Sequence, residues 1–516
     1  MTGRRTEGRR WPLLVLAAVA AVSLAGVAIS AGAGTETAPP PTADSAASED
    51  APIAVPVTRK PKLTLEQARA DAEALGRPLT VVSLTFDDGT ANQWTAVETL
   101  NELAMPATFY VPSGHVGGPD ALTLGQLRAM EAAGHEIGGH TVNHADLVAT
   151  TPDEAVRQIC DDRSRLLDWG FDARSFAYPF ARSTPAVQDA VRDCGYSSGR
   201  LLGALQSPTT CLDCPAVEDL VPAAPFALRA LAQVETSWTL EDFQAAVLRA
   251  EQTGGWTQIT FHNVCTSGCE ISVTPAVFEQ FTTWMAARQA SHGTAVLTVG
   301  DVIGGPAGPA VIGPADPPTT ADANAVRNPG FEEDAGGLPS CWMLGGYGDN
   351  AAVHDFVSPG RTGGVAARVR VSDYEDGDAK WLQRFDLGEC SPAVEPGAKY
   401  DLGSWYSATS ATQFSIYLRN DRGAWQYWTS SSWFPKSSSY RLATWTTPPI
   451  PDGYEAISFG LNVFHDGELI VDDVSLRLRP GTEGSDAASA YERVDVAGDV
   501  EVHGETEADR ARRDVG

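Results

Sequence analysis

Residues 81–90 read VVSLTFDDGT, an apolar, β-branched run that ends on two adjacent carboxylates and a glycine. Such a run reads as a strand buried on both faces, the kind found in a parallel sheet covered by helices. In these folds ligands and reacting groups gather where the carboxyl ends of the strands meet the loops. Asp87 and Asp88 stand at such an end, although like charges that close repel each other. The conflict resolves if the site needs both carboxylates in different roles.

Outward from this strand, short apolar runs recur at 107–111, 176–178, 257–261 and 295–299. The stretches between them carry helix-start chemistry. TPDE at 151–154 and TLED at 239–242 place Thr at the N-cap with an acid three residues on, and TPAV at 184–187 and 274–277 places Pro at the first helical position. The alternation predicts an α/β domain over residues 77–303, its parallel sheet closed into a barrel or left open. The Pro/Gly-rich stretch 304–323 reads as a linker. From 324 to 479 the helical period gives way to short, partly alternating aromatic runs separated by Gly, Pro and Ser, the pattern of a β-sandwich.

A chain of 516 residues is too long for one ordinary core, so two folded domains are expected. The formal charge of −29 excludes a nucleic-acid partner, which would need a Lys/Arg surface, and favours an uncharged or weakly charged substrate. Residues 1–33 combine an Arg-rich flank, an apolar run and Ala31-Gly32-Ala33. This reads as an export signal cleaved near Ala33; uncleaved, the same run would anchor the chain in a membrane. Residues 34–76 read as a disordered spacer and lead-in, and 480–516 as an acidic disordered tail. Export makes the location extracytoplasmic, either secreted or attached to the cell envelope, and the eight cysteines read there as disulfide partners. The expected pairs are Cys341 with Cys390, Cys211 with Cys214, Cys265 with Cys269, and Cys160 with Cys194. A structural zinc site built from the two close pairs is the rival reading.

The segment HEIGGHTVNH, 135–144, sets His140 and His144 four residues apart, so that one turn aims both imidazoles at one point. Two histidines and a carboxylate form a three-ligand set with an open position, as a hydrolytic metal requires. Another strand end carries His262, in ITFHN. Taken together, TFDDG at 85–89, HTVNH at 140–144, FAYPFA at 176–181 and FH at 261–262 resemble the ordered motifs of the polysaccharide deacetylases of the NodB-homology type, carbohydrate esterase family 4. The resemblance implies a distorted (β/α) barrel that removes N- or O-acetyl groups from a polysaccharide such as chitin, peptidoglycan or acetylxylan. It implies a divalent metal, usually zinc, held by Asp88, His140 and His144. Asp87 is then the catalytic base, the Phe180 backbone N–H a donor to the oxyanion, and His262 the acid that protonates the leaving group.

The chain departs from the family pattern twice. Ala177 stands where many members carry Arg, which leaves Arg200, just after GYSSG, as the candidate to orient Asp87. The Asp that tunes the catalytic histidine in the family has no clear match. His135 reads as structural and His115 as part of a variable loop. A non-haem iron oxygenase also uses two histidines and a carboxylate, but the usual His-x-Asp followed by a distant His is missing. The other rival is a carbohydrate-binding protein with a degenerate, inactive deacetylase domain.

In the second domain, NPGFE at 328–332 and LIVDDVSL at 469–476 resemble the first and last strands of galactose-binding-like, jelly-roll carbohydrate-binding modules. That resemblance implies a structural calcium with Glu332 and Asp472 as oxygen ligands, although either carboxylate also fits a capping or solvated role. Trp405, Tyr406, Trp425, Tyr427, Trp428 and Trp433 supply rings for stacking on sugar, half of them facing a core if the positions alternate. Every residue assigned to chemistry precedes the linker, so the second domain is expected to target the enzyme to polymer.

Overall fold

The computed structural model describes residues 63–335 and 337–482; the segment expected to be an export signal, most of the expected spacer and nearly all of the expected acidic tail lie outside them. No helix among the described residues is long and apolar enough to cross a membrane.

The first domain begins with α1 (Leu65–Ala74), β1 (Thr80–Phe86), α2 (Trp94–Glu102), β2 (Thr108–Val111), α3 (Leu124–Ala133), β3 (Glu136–Gly139) and α4 (Pro152–Asp168). It continues with β4 (Ser175–Ala177), α5 (Pro185–Asp193), β5 (Ser198–Arg200), α6 (Leu240–Thr253) and β6 (Gly255–Phe261). The short β7 (Asn263–Val264) and β8 (Ser272–Val273), then α7 (Pro275–His292), β9 (Thr294–Val296) and α8 (Val299–Ile303) complete it. Thr151, Thr184, Thr239 and Thr274 cap α4, α5, α6 and α7, each side chain accepting a backbone N–H three residues on. The apolar run at 295–299 divides, because Thr298 caps α8 and ends the extended backbone. The sequence assigns 65–74 to a disordered lead-in, but these residues form α1: Thr64 and Gln67 make a capping box, and Ala68 and Ala72 are buried.

The parallel sheet runs β5-β4-β3-β2-β1-β6, with β9 beside the first half of β1. An extended segment, 228–234, fills the gap between β5 and β6. On one side Leu228 N donates to Gly199 O at 2.8 Å, and on the other Val234 N donates to Thr260 O at 2.9 Å. These bonds close a distorted barrel, irregular on this one side. β1 is buried along its whole length. Phe86 pairs with Phe261 across β1 and β6, so Asp87 and His262 leave the sheet side by side.

The second domain contains β10 (Trp342–Tyr347), β11 (Ala351–Val357), β12 (Ala366–Ser372), β13 (Asp378–Gln383) and β14 (Tyr400–Ala408). These are followed by β15 (Phe414–Asn420), β16 (Trp425–Ser430), β17 (Ser437–Thr446), β18 (Tyr454–Val463) and β19 (Gly467–Leu478). They form two antiparallel five-stranded sheets, β10-β13-β18-β15-β16 and β11-β12-β19-β14-β17. Trp342, Trp381, Tyr406, Phe414 and Phe459 fill the space between them.

Four disulfides join Cys160 to Cys194, Cys211 to Cys214, Cys265 to Cys269 and Cys341 to Cys390. The two close pairs are therefore separate bridges and not one thiolate cluster. Residues 304–323 contain neither helix nor strand, yet they lie against α4: Arg163 donates to Gly308 O and Pro309 O at 2.7 and 2.8 Å, and Arg157 donates to Pro314 O at 2.9 Å. Asp316 then pairs with Arg419 of the sandwich at 2.6 Å.

Where the sandwich meets α4, Glu154 Oε1 accepts Leu387 N–H at 2.9 Å and Gln158 Nε2 at 3.0 Å, with Asp386 close by. Burial, and then the Asp386 charge, push Glu154 from its ordinary 4.5 up to about 8, against the opposing pull of its hydrogen bonds and Arg157. Between those values the folded chain keeps a proton that the unfolded chain has released. The group's contribution to stability is therefore full below about 4.5 and is lost as the pH rises through about 8. Glu154→Gln cannot titrate, so the drop in melting temperature between about pH 5 and about pH 9 is expected to be smaller than in the wild type. Melting curves at the two pH values check this; equal drops would mean that Glu154 is already ionised in the folded chain.

Candidate active site

Consecutive residues of an extended strand point to opposite faces. The backbone breaks that rule at Asp88, whose φ of +74° is left-handed. Asp87 stays inside, its side chain buried, while Asp88 turns toward the loop after β3. There, Nε2 of His140 and of His144 stand 3.4 and 3.3 Å from Asp88 Oδ1, and the three ligand atoms lie within 4.8 Å of one another. Three ligands about 2.1 Å from a tetrahedral ion stand roughly 3.4 Å apart, so the residues present fit a small divalent metal.

Two further observations support that fit. Asp88 Oδ1 is buried and makes no hydrogen bond among the described residues. His140 Nδ1 lies 2.8 Å from Ala177 O, so its N–H donates there and leaves the Nε2 lone pair facing Asp88. Burial alone would raise the Asp88 pKa, but the neighbouring His144 and His140 hold it well below the usual carboxylate range. A carboxylate oxygen beside two imidazoles is a suitable donor set for zinc-like ions.

Asp87 has different neighbours. Arg200 Nη2 lies 2.5 and 2.6 Å from its two oxygens, and His262 Nε2 lies 3.8 Å from Oδ2. The Arg200 guanidinium is fully buried and rests 5.2 Å over the Tyr110 ring. It thus approaches Asp87 from β5, two strands from β3, where the family pattern would place an Arg at Ala177 on β4. His262 Nδ1 is buried without a hydrogen-bond partner among the described residues, which agrees with the missing Asp of the family pattern. The Phe180 ring packs edge-on to His144 at 4.7 Å, in a turn where Phe180 itself has φ +56°. Left-handed non-glycine residues cost on the order of 1–3 kcal/mol each and persist only where their surroundings impose them. Asp88, Thr141, His144, Phe180 and Ala181 are all of this type.

Three residues that the sequence reading did not assign complete the site. Gln93 Nε2 donates to the carbonyls of Asp87 and His262 at 2.5 and 2.8 Å, tying the two strand ends together. Asp162 accepts the N–H of His140 at 3.1 Å and of Ser113 at 3.0 Å, and burial pushes its carboxyl up to about 7. Tyr110 is the ring beneath Arg200. For Asp162 a signal existed: it shares one face of α4 with Ala155, Ile159 and Leu166, a carboxylate among buried apolar positions. His135 accepts Ala107 N–H at 3.1 Å, and burial lowers it to about 4, as suits a neutral structural histidine.

Of the sandwich residues, Glu332 accepts the N–H groups of Gly364 and Val365 at 2.8 and 3.1 Å, and Asp472 accepts those of Arg361 and Thr362 at 2.7 and 3.2 Å. Tyr406 belongs to the core, Trp425 stacks on Phe385, and Trp405 lies under the Arg361 guanidinium at 3.6 Å. Trp428 packs against the core, whereas Tyr427 and Trp433 are half exposed.

Residues 76–199 match the family model described as polysaccharide deacetylase. Over 88 residues, 17% of this chain, the sequence is 38% identical to a chitooligosaccharide deacetylase of Rhizobium leguminosarum bv. trifolii, and the match covers 39% of that protein. Over 120 residues, 23% of this chain, it is 26% identical to a peptidoglycan-N-acetylglucosamine deacetylase of Bacillus cereus, covering 54% of that protein. The chain thus spans less than two thirds of the length of these curated relatives. Among solved structures it is similar to a family 4 acetyl xylan esterase from Clostridium thermocellum in complex with a cobalt ion, with a TM-score of 0.31 and 23% identity over 43% of this chain and 90% of that one. Residues 76–199, within the first domain, thus carry the signature of the polysaccharide deacetylase family.

Proposed function

We propose that the chain is a metal-dependent hydrolase that removes acetyl groups from an extracytoplasmic polysaccharide. The observation that carries this reading is the separation of two adjacent aspartates, one facing two imidazoles and the other bound to a buried arginine. Asp88, His140 and His144 would hold the ion, with zinc the metal best matched to two imidazoles and one carboxylate. When bound, such an ion supplies Lewis acidity and lowers the pKa of water.

The remaining work falls to the chain's own residues. Asp87, held by Arg200, accepts the proton of the attacking water as the water oxygen bonds to the acetyl carbon. Phe180 N–H donates to the oxyanion. His262 gives its proton to the departing nitrogen or oxygen as the bond to the acetyl carbon breaks, which leaves acetate and a free amine or hydroxyl. The relatives named for chitooligosaccharide and for peptidoglycan N-acetylglucosamine favour an N-acetylated sugar. Arg200 at Asp87 supplies the contact whose absence would have favoured an inactive, binding-only domain. The four disulfides suit a secreted or envelope location. Of the six candidate rings of the sandwich, Tyr427 and Trp433 are the exposed ones, available for sugar stacking. A calcium at Glu332 and Asp472 would have to use oxygen positions left beside their backbone N–H bonds.

Asp88→Ala, His140→Ala and His144→Ala are each expected to lose bound metal and activity together, since each removes one of three protein ligands. Metal analysis of the purified variants checks this, and a variant with full stoichiometric metal would remove that residue from the ligand set. Asp87→Asn is expected to keep its metal while turnover falls by about two to four orders of magnitude. Acetate release from N-acetylated chitooligosaccharide, measured beside metal content, is the test. Loss of metal in Asp87→Asn would mean that the roles of the two aspartates are reversed.

A further inference from the structure

The loop that carries the two histidines is covered at Val142 and Asn143 by the other domain. Val142 and Asn143 lie between His140 and His144, and the β15–β16 turn of the sandwich sits on them. Gly423 in that turn is buried with φ +81°, and a Cβ added to it would lie 2.5 Å from Val142 Cγ1. With its amide nitrogen turned toward the acceptors, Asn143 donates to Gly423 O at 3.1 Å. Arg165, on α4, donates to Arg422 O at 2.6 Å and Asp421 O at 3.2 Å, and also to Ser113 Oγ at 3.2 Å. Ser113 N in turn donates to Thr141 O at 3.3 Å, so one guanidinium grips both the sandwich turn and the segment that holds the loop.

A second line of bonds runs parallel to the first. Asn143 N donates to Gln158 Oε1 at 3.0 Å, Gln158 Nε2 to Glu154 Oε1 at 3.0 Å, and Leu387 N of the sandwich to the same Glu154 oxygen at 2.9 Å. The loop needs such support because Thr141 and His144 both have left-handed backbones, at φ +68° and +53°. A strained conformation of this kind relaxes unless packing imposes it.

We propose that the Asp421–Gly423 turn of the sandwich is a positioning element of the metal centre: it seats Val142 and Asn143 and thereby fixes the spacing of His140 and His144. This role goes beyond targeting, and it rests on the reading of Asp88, His140 and His144 as metal ligands. It makes the zinc affinity of the first domain depend on a contact supplied by the second.

The test measures zinc affinity of full-length protein by competition with a chromophoric chelator. Gly423→Ala presses a methyl group onto Val142 and is expected to weaken zinc binding by about 10–100-fold, the usual effect of losing a group that orients a ligand. Gly397→Ala is the control: its φ is +80° and its Cβ would meet nothing within 4 Å, so it carries the same backbone penalty without touching the loop. Its zinc affinity is expected to equal the wild type's. Val142→Ala combined with Gly423→Ala removes the clashing methyl and is expected to recover part of the loss. Arg165→Met, which strains no backbone, is expected to weaken zinc binding as well and covers the case in which Gly423→Ala does not fold. Wild-type affinity in folded Gly423→Ala, or in Arg165→Met when only that variant folds, overturns the proposal and leaves the metal site standing. A wild-type chain that binds no zinc overturns the metal reading, and this proposal with it.

Discussion

Two carboxylates joined by one peptide bond must have opposite surroundings, and the site depends on how the chain achieves this. The left-handed backbone at Asp88 is the device. It sends one side chain out to His140 and His144 and leaves the other in, against Arg200. Asp87 then has the Arg200 guanidinium beside it and Asp88 two imidazoles, so each carboxylate has its own surroundings. The requirement spreads outward: β1 and β6 must end level for His262 to meet Asp87, β3 must end at His140, and β5 must end at Arg200. Gln93 and Asp162 fasten these ends by binding backbone atoms of the functional residues themselves.

The sequence made legible what was written in apolar runs and capping residues. The seven buried residues of β1 and the Thr-Pro helix starts of α4, α5 and α7 are of this kind. β3 was illegible because its last residues are Gly138 and Gly139. A Cβ at Gly139 would meet the Tyr196 hydroxyl at 1.8 Å, so the strand's packing surface is supplied by other elements and leaves no apolar run to read. β5 is only Ser-Gly-Arg, and Arg200 could be singled out only by its place after a turn-like stretch. The segment that closes the barrel at 228–234 has no strand pattern, because its bonds to β5 and β6 are irregular. In the sandwich, alternation identified the architecture. Which rings face inward was not readable, since Tyr406 and Trp405 are neighbours with equal aromatic character and opposite surroundings.

The relation between the domains was also hidden. A Pro/Gly-rich stretch reads as a linker, but here its carbonyls accept hydrogen bonds from Arg157 and Arg163 on α4. Asp316 continues the contact to Arg419, and the sandwich then rests on the histidine loop. The domain proposed to bind polymer is thus also the one proposed to position the metal ligands. The acidic pair Glu154 and Asp386, both pushed up by burial, lies in that same contact.

The central claim is that Asp88, His140 and His144 are the metal ligands of a hydrolytic site and that the cysteines take no part in it. X-ray absorption of the zinc-loaded, full-length protein tests this directly. The account predicts a first shell of nitrogen and oxygen only, at about 2.0–2.2 Å, with the outer scattering of two imidazole rings. A sulfur shell at about 2.3 Å, or no imidazole scattering, would contradict it.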